Sequence, residues 1–252
     1  MDAPGLHVEH HGSPDGLSVV LVHGSPDRSS AFRPVLGQLD DLHVVTYDRR
    51  GWGRSVDTGP STGMADHAED LLALVDELPD PVVVVAHSFG AHVTMVACTM
   101  RPSAFAAVGL WEPPLLYEPW WESVLGRYGV DAVGGSDPAE EMEKALRAVL
   151  GDDVWESWPA DVREARRAEG PAYRADMASL VEPPCRYEDV KVPATAGGGA
   201  RSSSSSRRVA AWLVERLPDA QPYVIDGVGH FANRTHPEAF AGFVRASVAR
   251  VT

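Results

Sequence analysis

Ser88 stands at the end of the segment Val82-Val83-Val84-Val85-Ala86-His87-Ser88-Phe89-Gly90-Ala91. Four consecutive valines with no polar alternation suit a strand covered on both faces. A strand that turns into a helix at a serine strains that residue and lifts its Oγ out of the sheet, and small neighbours let the two elements approach. The pattern is G-x-S-x-G, with Ala86 in place of the first glycine and Gly90 as the second. Such a serine, paired with a base, attacks an acyl carbon. The plainer alternative is a serine that caps a helix after a core strand.

Three further segments pair an apolar run with chemically capable residues. Val19-Val20-Leu21-Val22 leads into His23-Gly24-Ser25-Pro26. Val44-Val45-Thr46-Tyr47 leads into Asp48-Arg49-Arg50-Gly51-Trp52-Gly53-Arg54-Ser55. Tyr223-Val224-Ile225 leads into Asp226-Gly227-Val228-Gly229-His230-Phe231. In this order the pieces resemble the α/β-hydrolase family over about residues 16–112 and 190–250. The resemblance implies that His-Gly opens an oxyanion loop and that the glycine-histidine step after the last strand supplies a catalytic histidine.

The elements that must position these residues alternate from about residue 16. Apolar stripes predict helices over Met64–Leu78, from Ser88 to about Met100, and along Phe240, Phe243, Val244, Val248 and Val251. Strands alternating with amphipathic helices predict an α/β fold, a mostly parallel sheet with helices on both faces. Residues 113–189 break the rhythm with helical pattern and many rings, Trp120, Trp121, Tyr128, Trp155, Trp158 and Tyr173 among them. They read as a helical cap inserted into a core of residues 1–112 and 190–252. Most of the rings are expected to pack the cap onto the core and a minority to face the pocket. A loop is expected over Gly197–Ser206, between a short strand at Val192–Ala196 and a helix around Arg207–Leu217.

Composition narrows the classes. The chain has 252 residues, 44% of them hydrophobic and 23% charged, as in a single globular domain. A net charge of −14 argues against nucleic-acid partners and against adhesion to anionic membranes. Met1-Asp2-Ala3-Pro4-Gly5 has no signal-peptide character, and no apolar run approaches the ~20 residues that span a bilayer. The expectation is a cytoplasmic protein. Cys98 and Cys185 lack metal spacing, and no phosphate-binding glycine loop follows a strand, so neither cofactor nor metal is expected.

Within the resemblance, His230 is the expected base and Ser88 the nucleophile. His87 is expected to support the corner, and the role of His92 stays open. The family's usual aspartate would follow Val192–Ala196, yet Gly197 through Arg208 contains no carboxylate. A histidine that becomes cationic still needs an acid. Some branches of the family carry it at the end of the preceding strand, here Glu112, where a buried strand end makes an unpartnered carboxylate costly. Asp226 is the fallback. The oxyanion hole is expected from the backbone N–H groups of Ser25 and Phe89. Asp48 and Arg49 are expected to tie loops at the rim, while His23, Trp111 and Trp120 are candidate substrate contacts.

Together these imply a cofactor-free serine hydrolase cleaving an ester, thioester or related acyl bond of a small molecule with a hydrophobic portion. Serine rather than aspartate at position 88 disfavours dehalogenase and epoxide-hydrolase chemistry. The same fold also supports C–C bond hydrolysis, perhydrolysis, lyase and acyl-transfer or cyclisation reactions, and a ligand-binding receptor with a vestigial triad is a further alternative.

Overall fold

The apolar runs become the middle of a sheet. The structure, a computed structural model, describes residues 5–121 and 137–251. Tyr128 and its neighbours in the expected cap lie outside the described residues. Among the described residues there are seven strands: β1 (Val8–Gly12), β2 (Ser18–Val22), β3 (His43–Tyr47), β4 (Val82–His87), β5 (Ala107–Trp111), β6 (Ala194–Gly199) and β7 (Ala220–Ile225), in the spatial order β1-β3-β2-β4-β5-β6-β7. β1 runs antiparallel to β3 and every other pairing is parallel.

The four valines of β4 show why no polar alternation was needed. Val82 and Val84 enter an apolar cluster with α2 (Met64–Asp76), α3 (Phe89–Met100) and α8 (Ser204–Val214), whereas Val83 and Val85 enter a second cluster on the opposite face. That second cluster is built with the short α1 (Arg33–Leu36) and with α10 (Pro237–Val248), which α9 (Ala232–Thr235) precedes. Each fully buried valine contributes about 1.5–3 kcal/mol. Between β5 and β6 lie α4 (Pro138–Leu150), α5 (Asp152–Ser157), α6 (Ala160–Arg167) and α7 (Gly170–Ala178). A third cluster joins Met142, Leu146, Trp155 and Tyr173 of these helices to Trp52, which follows β3. Among the described residues no helix is long and apolar enough to cross a membrane.

One strand falls outside the expected elements, and two local expectations are corrected. β1 carries the polar stretch Val8-Glu9-His10-His11-Gly12, half-exposed at the sheet edge, and so lacks the apolar signature of an inner strand. The expected strand at Val192–Ala196 is shifted, because β6 runs on through Gly197-Gly198-Gly199 and is buried throughout. Gly197 and Gly199 are glycine because their neighbours leave no room for a Cβ. A Cβ on Gly197 would sit 2.6 Å from Phe243 Cε2 and 2.6 Å from Trp111 Cε3, and one on Gly199 would sit 2.5 Å from the Val228 carbonyl oxygen. The serine run, expected to finish that loop, instead opens the helix: Ser203 caps α8, its Oγ accepting the Ser206 N–H at 3.1 Å, so the helix starts earlier than its apolar stripe suggests.

Replacing Gly197 by alanine therefore overpacks a closed seam. The expected loss is about 1–3 kcal/mol in urea unfolding, whereas Gly37→Ala, with nothing within 4 Å of its Cβ position and a helical φ of −66°, stays within about 0.5 kcal/mol. Equal effects at the two positions would refute the packing argument.

Candidate active site

Parallel strands end at one edge of the sheet, and the residues of interest collect there. Ser88 follows β4 with φ 54° and ψ −121°, a left-handed conformation rare outside glycine. Its N–H donates to the Trp111 carbonyl at 2.7 Å, holding the corner against β5. Two glycines make the corner feasible. A Cβ on Gly90 would lie 2.5 Å from the Val22 carbonyl oxygen, and one on Gly24 would lie 2.9 Å from Ser88 Cβ. Phe89 opens α3, so its N–H has no acceptor inside the helix.

Glu112 follows β5 and is the other non-glycine residue with positive φ among the described residues, at 44°. It is 1% exposed. Its Oε1 accepts the Gly199 N–H and the Ser202 hydroxyl, both at 2.7 Å, and its Oε2 lies 2.7 Å from His230 Nδ1. Nδ1 must donate there, which leaves Nε2 able to take a proton. Asp226 is exposed, and the Nδ1 position it was held in reserve for is occupied by Glu112. The ring of His230 is further placed through its own backbone, since its carbonyl accepts from His87 Nε2 and from Trp111 Nε1, each at 2.9 Å.

Ser88, Glu112, His230, His87 and Ser25 line one cavity of about 770 Å³. The Oγ of Ser25 is buried without a hydrogen-bond partner among the described residues. The opposite wall comes from the helices between β5 and β6, with Leu146, Val149, Trp158, Tyr173 and Met177. Among the described residues no group of side chains could hold a metal ion, and both cysteines are free thiols.

The expected substrate contacts fall elsewhere. His23 is fully buried, donating from Nδ1 to the Gly24 carbonyl at 2.8 Å and accepting the Arg49 N–H on Nε2 at 2.9 Å. Trp111 is fully buried against Phe240 and Phe243, because its strand position points it into the second core cluster. Trp120 packs half-buried on the first cluster with the Arg208 guanidinium 4.2 Å above its ring, and its neighbour Trp121 lines the cavity instead. Asp48 accepts from Ser29 N, Ser29 Oγ and Arg54 N at 2.7–2.9 Å, so it ties loops as expected. Arg49 is not at a rim: its buried guanidinium meets the buried Asp176 of α7 at 2.7 Å and the Gly24 carbonyl at 3.1 Å. His92 is buried and donates to the Pro114 carbonyl at 2.8 Å. Ser202 and Gly199, which hold the Glu112 carboxylate, went unnoticed in sequence. The signal was available in a hydroxyl run directly after a strand that lacked its acid.

A sequence model described as the alpha/beta hydrolase family matches residues 19–243. The chain is 41% identical over 95 residues to EphD of Mycobacterium tuberculosis, a protein named as an oxidoreductase, across 36% of this chain and 16% of that protein. It is 34% identical over 149 residues to the lipase LipV of Mycobacterium tuberculosis, across 57% of this chain and 55% of LipV. The chain thus spans at most about half the length of these curated relatives. Cfl2 from Burkholderia cenocepacia has the same fold, with a TM-score of 0.72 at 21% identity over 96% of this chain and 91% of Cfl2.

Four buried histidines make the fold acid-sensitive. Burial, reinforced by the Arg49 charge, lowers His23 to about 3 and also lowers His67; burial lowers His92 to about 4; burial and the neighbouring His230 lower His87 well below the ordinary range. Below the unfolded value of ~6.5 the unfolded chain binds protons that the folded rings refuse. Stability is therefore complete above pH 6.5 and falls toward pH 4, with His92 accounting for roughly 2–4 kcal/mol. Unfolding midpoints measured from pH 7.5 to 4 should drop, and His92→Gln should flatten the slope; an unchanged slope in that variant would contradict neutral burial of this ring.

Proposed function

The chain belongs to the α/β-hydrolase family, and from that membership we propose that it is a cofactor-free serine hydrolase cleaving an ester, thioester or related acyl bond. The observation that carries the reading is the 2.7 Å contact between Glu112 Oε2 and His230 Nδ1, with His230 and the strained Ser88 lining one cavity. Ser88 Oγ attacks the acyl carbon while His230 Nε2 takes its proton. Glu112 keeps Nδ1 protonated and balances the imidazolium that forms. The N–H groups of Phe89 and Ser25 receive the oxyanion, each such donor contributing about 2.7–4 kcal/mol to the transition state. His230 then protonates the leaving group, and a water activated by the same nitrogen releases the acid.

Residues 113–189 act in this reading as a cap on a core of 1–112 and 190–252, and the apolar wall from α4 to α7 supports it. That wall favours a small-molecule substrate with a hydrophobic portion. The name of LipV, a lipase, agrees with ester chemistry.

Ser88→Ala should reduce hydrolysis of a 4-nitrophenyl ester by about 10³-fold or more and abolish labelling by a fluorophosphonate. Glu112→Gln should lower kcat far more than Asp226→Asn, by about 10³–10⁴-fold. Retained turnover in Ser88→Ala removes the nucleophile, and the reverse ranking of the two acid variants reassigns the third member.

A further inference from the structure

Part of the cavity wall is cationic on a chain whose net charge is −14. Arg28, Arg166 and Arg234 all line the cavity with Asp27, and Glu169 lies fully buried behind them. Glu169 Oε1 accepts from Arg28 Nε at 2.6 Å and from the Gly53 N–H at 2.6 Å, and its Oε2 lies 2.7 Å from an Arg166 terminal nitrogen. Asp27 pairs with Arg234 and accepts the Arg28 N–H at 2.8 Å. Arg166 also donates to the Pro26 carbonyl at 3.3 Å. Three guanidinium groups thus face two carboxylates.

An ion-pair network whose only task was to fasten α6 to the core would need no more guanidinium groups than carboxylates. This one leaves a surplus of one positive charge. It also leaves a donor unused: Arg166 is 7% exposed, and its Nε has no hydrogen-bond partner among the described residues. Burial, opposed first by Glu169, brings Arg166 down to about 10, which keeps it charged at neutral pH. The cluster is continuous with the proposed chemistry. Asp27 and Arg28 follow the Ser25 loop, and Arg234 lies four residues beyond His230, near enough for its charge to act on His87. The wall contributed by Leu146, Val149 and Trp158 carries no charge.

We infer that Arg28, Arg166 and Arg234 form an anion subsite that receives the carboxylate of the substrate while its uncharged chain lies against the apolar wall. A single carboxylate neutralises the surplus charge and pairs with the guanidinium groups of Arg28 and Arg234, whose side chains are partly exposed. The inference rests on the acyl-bond reading for its substrate, and it narrows that substrate to monoanionic esters or thioesters with a second, uncleaved acid group.

Binding to the Ser88→Ala protein tests the subsite without turnover. Two matched pairs are titrated: mono-4-nitrophenyl adipate against its methyl ester, and 4-(hexanoyloxy)benzoate against its methyl ester, which place the charge on the acyl and the alcohol side respectively. In at least one pair the anion should bind about tenfold tighter or more, with a preference that shrinks as salt rises. Arg166→Gln and the more exposed Arg234→Gln should each bring the ratio toward one, and if Arg166→Gln does not fold, Arg234→Gln carries the test. No preference in either pair, or a preference that survives in every folded variant, overturns the subsite. Wild-type hydrolysis of the neutral esters that persists in Ser88→Ala overturns the acyl-enzyme reading instead and leaves the binding result interpretable.

Discussion

The carboxylate of Glu112 is withdrawn from solvent at the end of β5, and three polypeptide segments must meet for it to stay there. One oxygen takes hydrogens from Gly199 and Ser202 beyond β6, and the other takes one from His230 beyond β7. A buried anion short of such partners costs several kcal/mol, so any displacement of either loop is opposed by the charge itself. The same bond sets the tautomer of His230 and the direction of its second nitrogen. Placing the glutamate there demands a left-handed backbone at 44°, and the neighbouring strand makes the same demand of Ser88 at 54°. Strain at both positions is held by the register of β4 against β5, which pairs His87 with Trp111.

A second buried charge plays the corresponding part underneath. Arg49 leaves β3 and reaches the His23-Gly24 loop on one side and Asp176 of α7 on the other, with His67 3.1 Å from the same carboxylate. Burial would raise the Asp176 carboxyl, but Arg49 and His67 more than offset it and hold it below the ordinary range. Moving α7 would strand both ions, so the pair specifies where the helices between β5 and β6 sit. The loop that carries Ser25 and the wall of the cavity are thereby referred to one buried contact.

Much of the arrangement was legible in the chain. The unbroken valine run announced a strand covered on both faces, and Ser88 between Ala86 and Gly90 announced a tight corner after it. The absence of a carboxylate from Gly197–Arg208 pointed to Glu112, which lies against His230 in the structure. Other signals misled because they report local composition rather than neighbours. Gly197-Gly198-Gly199 reads as the start of a loop, yet it continues β6, and Gly197 and Gly199 are glycine because Phe243, Trp111 and Val228 occupy the space a side chain would need. Trp111 looks like a pocket ring beside Glu112, but strand alternation turns it to the opposite face, onto Phe240 and Phe243.

What the sequence determined by itself is whatever depends on neighbours along the chain: strand and helix periodicity, the small residues around Ser88, the absence of an acid where one was expected. Those features act through backbone sterics and side-chain alternation within a few residues. Only the tertiary structure decided which residues share the cavity, that Ser202 and Gly199 hold the glutamate, and that three arginines drawn from positions 28, 166 and 234 stand over two carboxylates. Such groupings follow from burial and charge balance between segments far apart in the chain, and no local pattern encodes them.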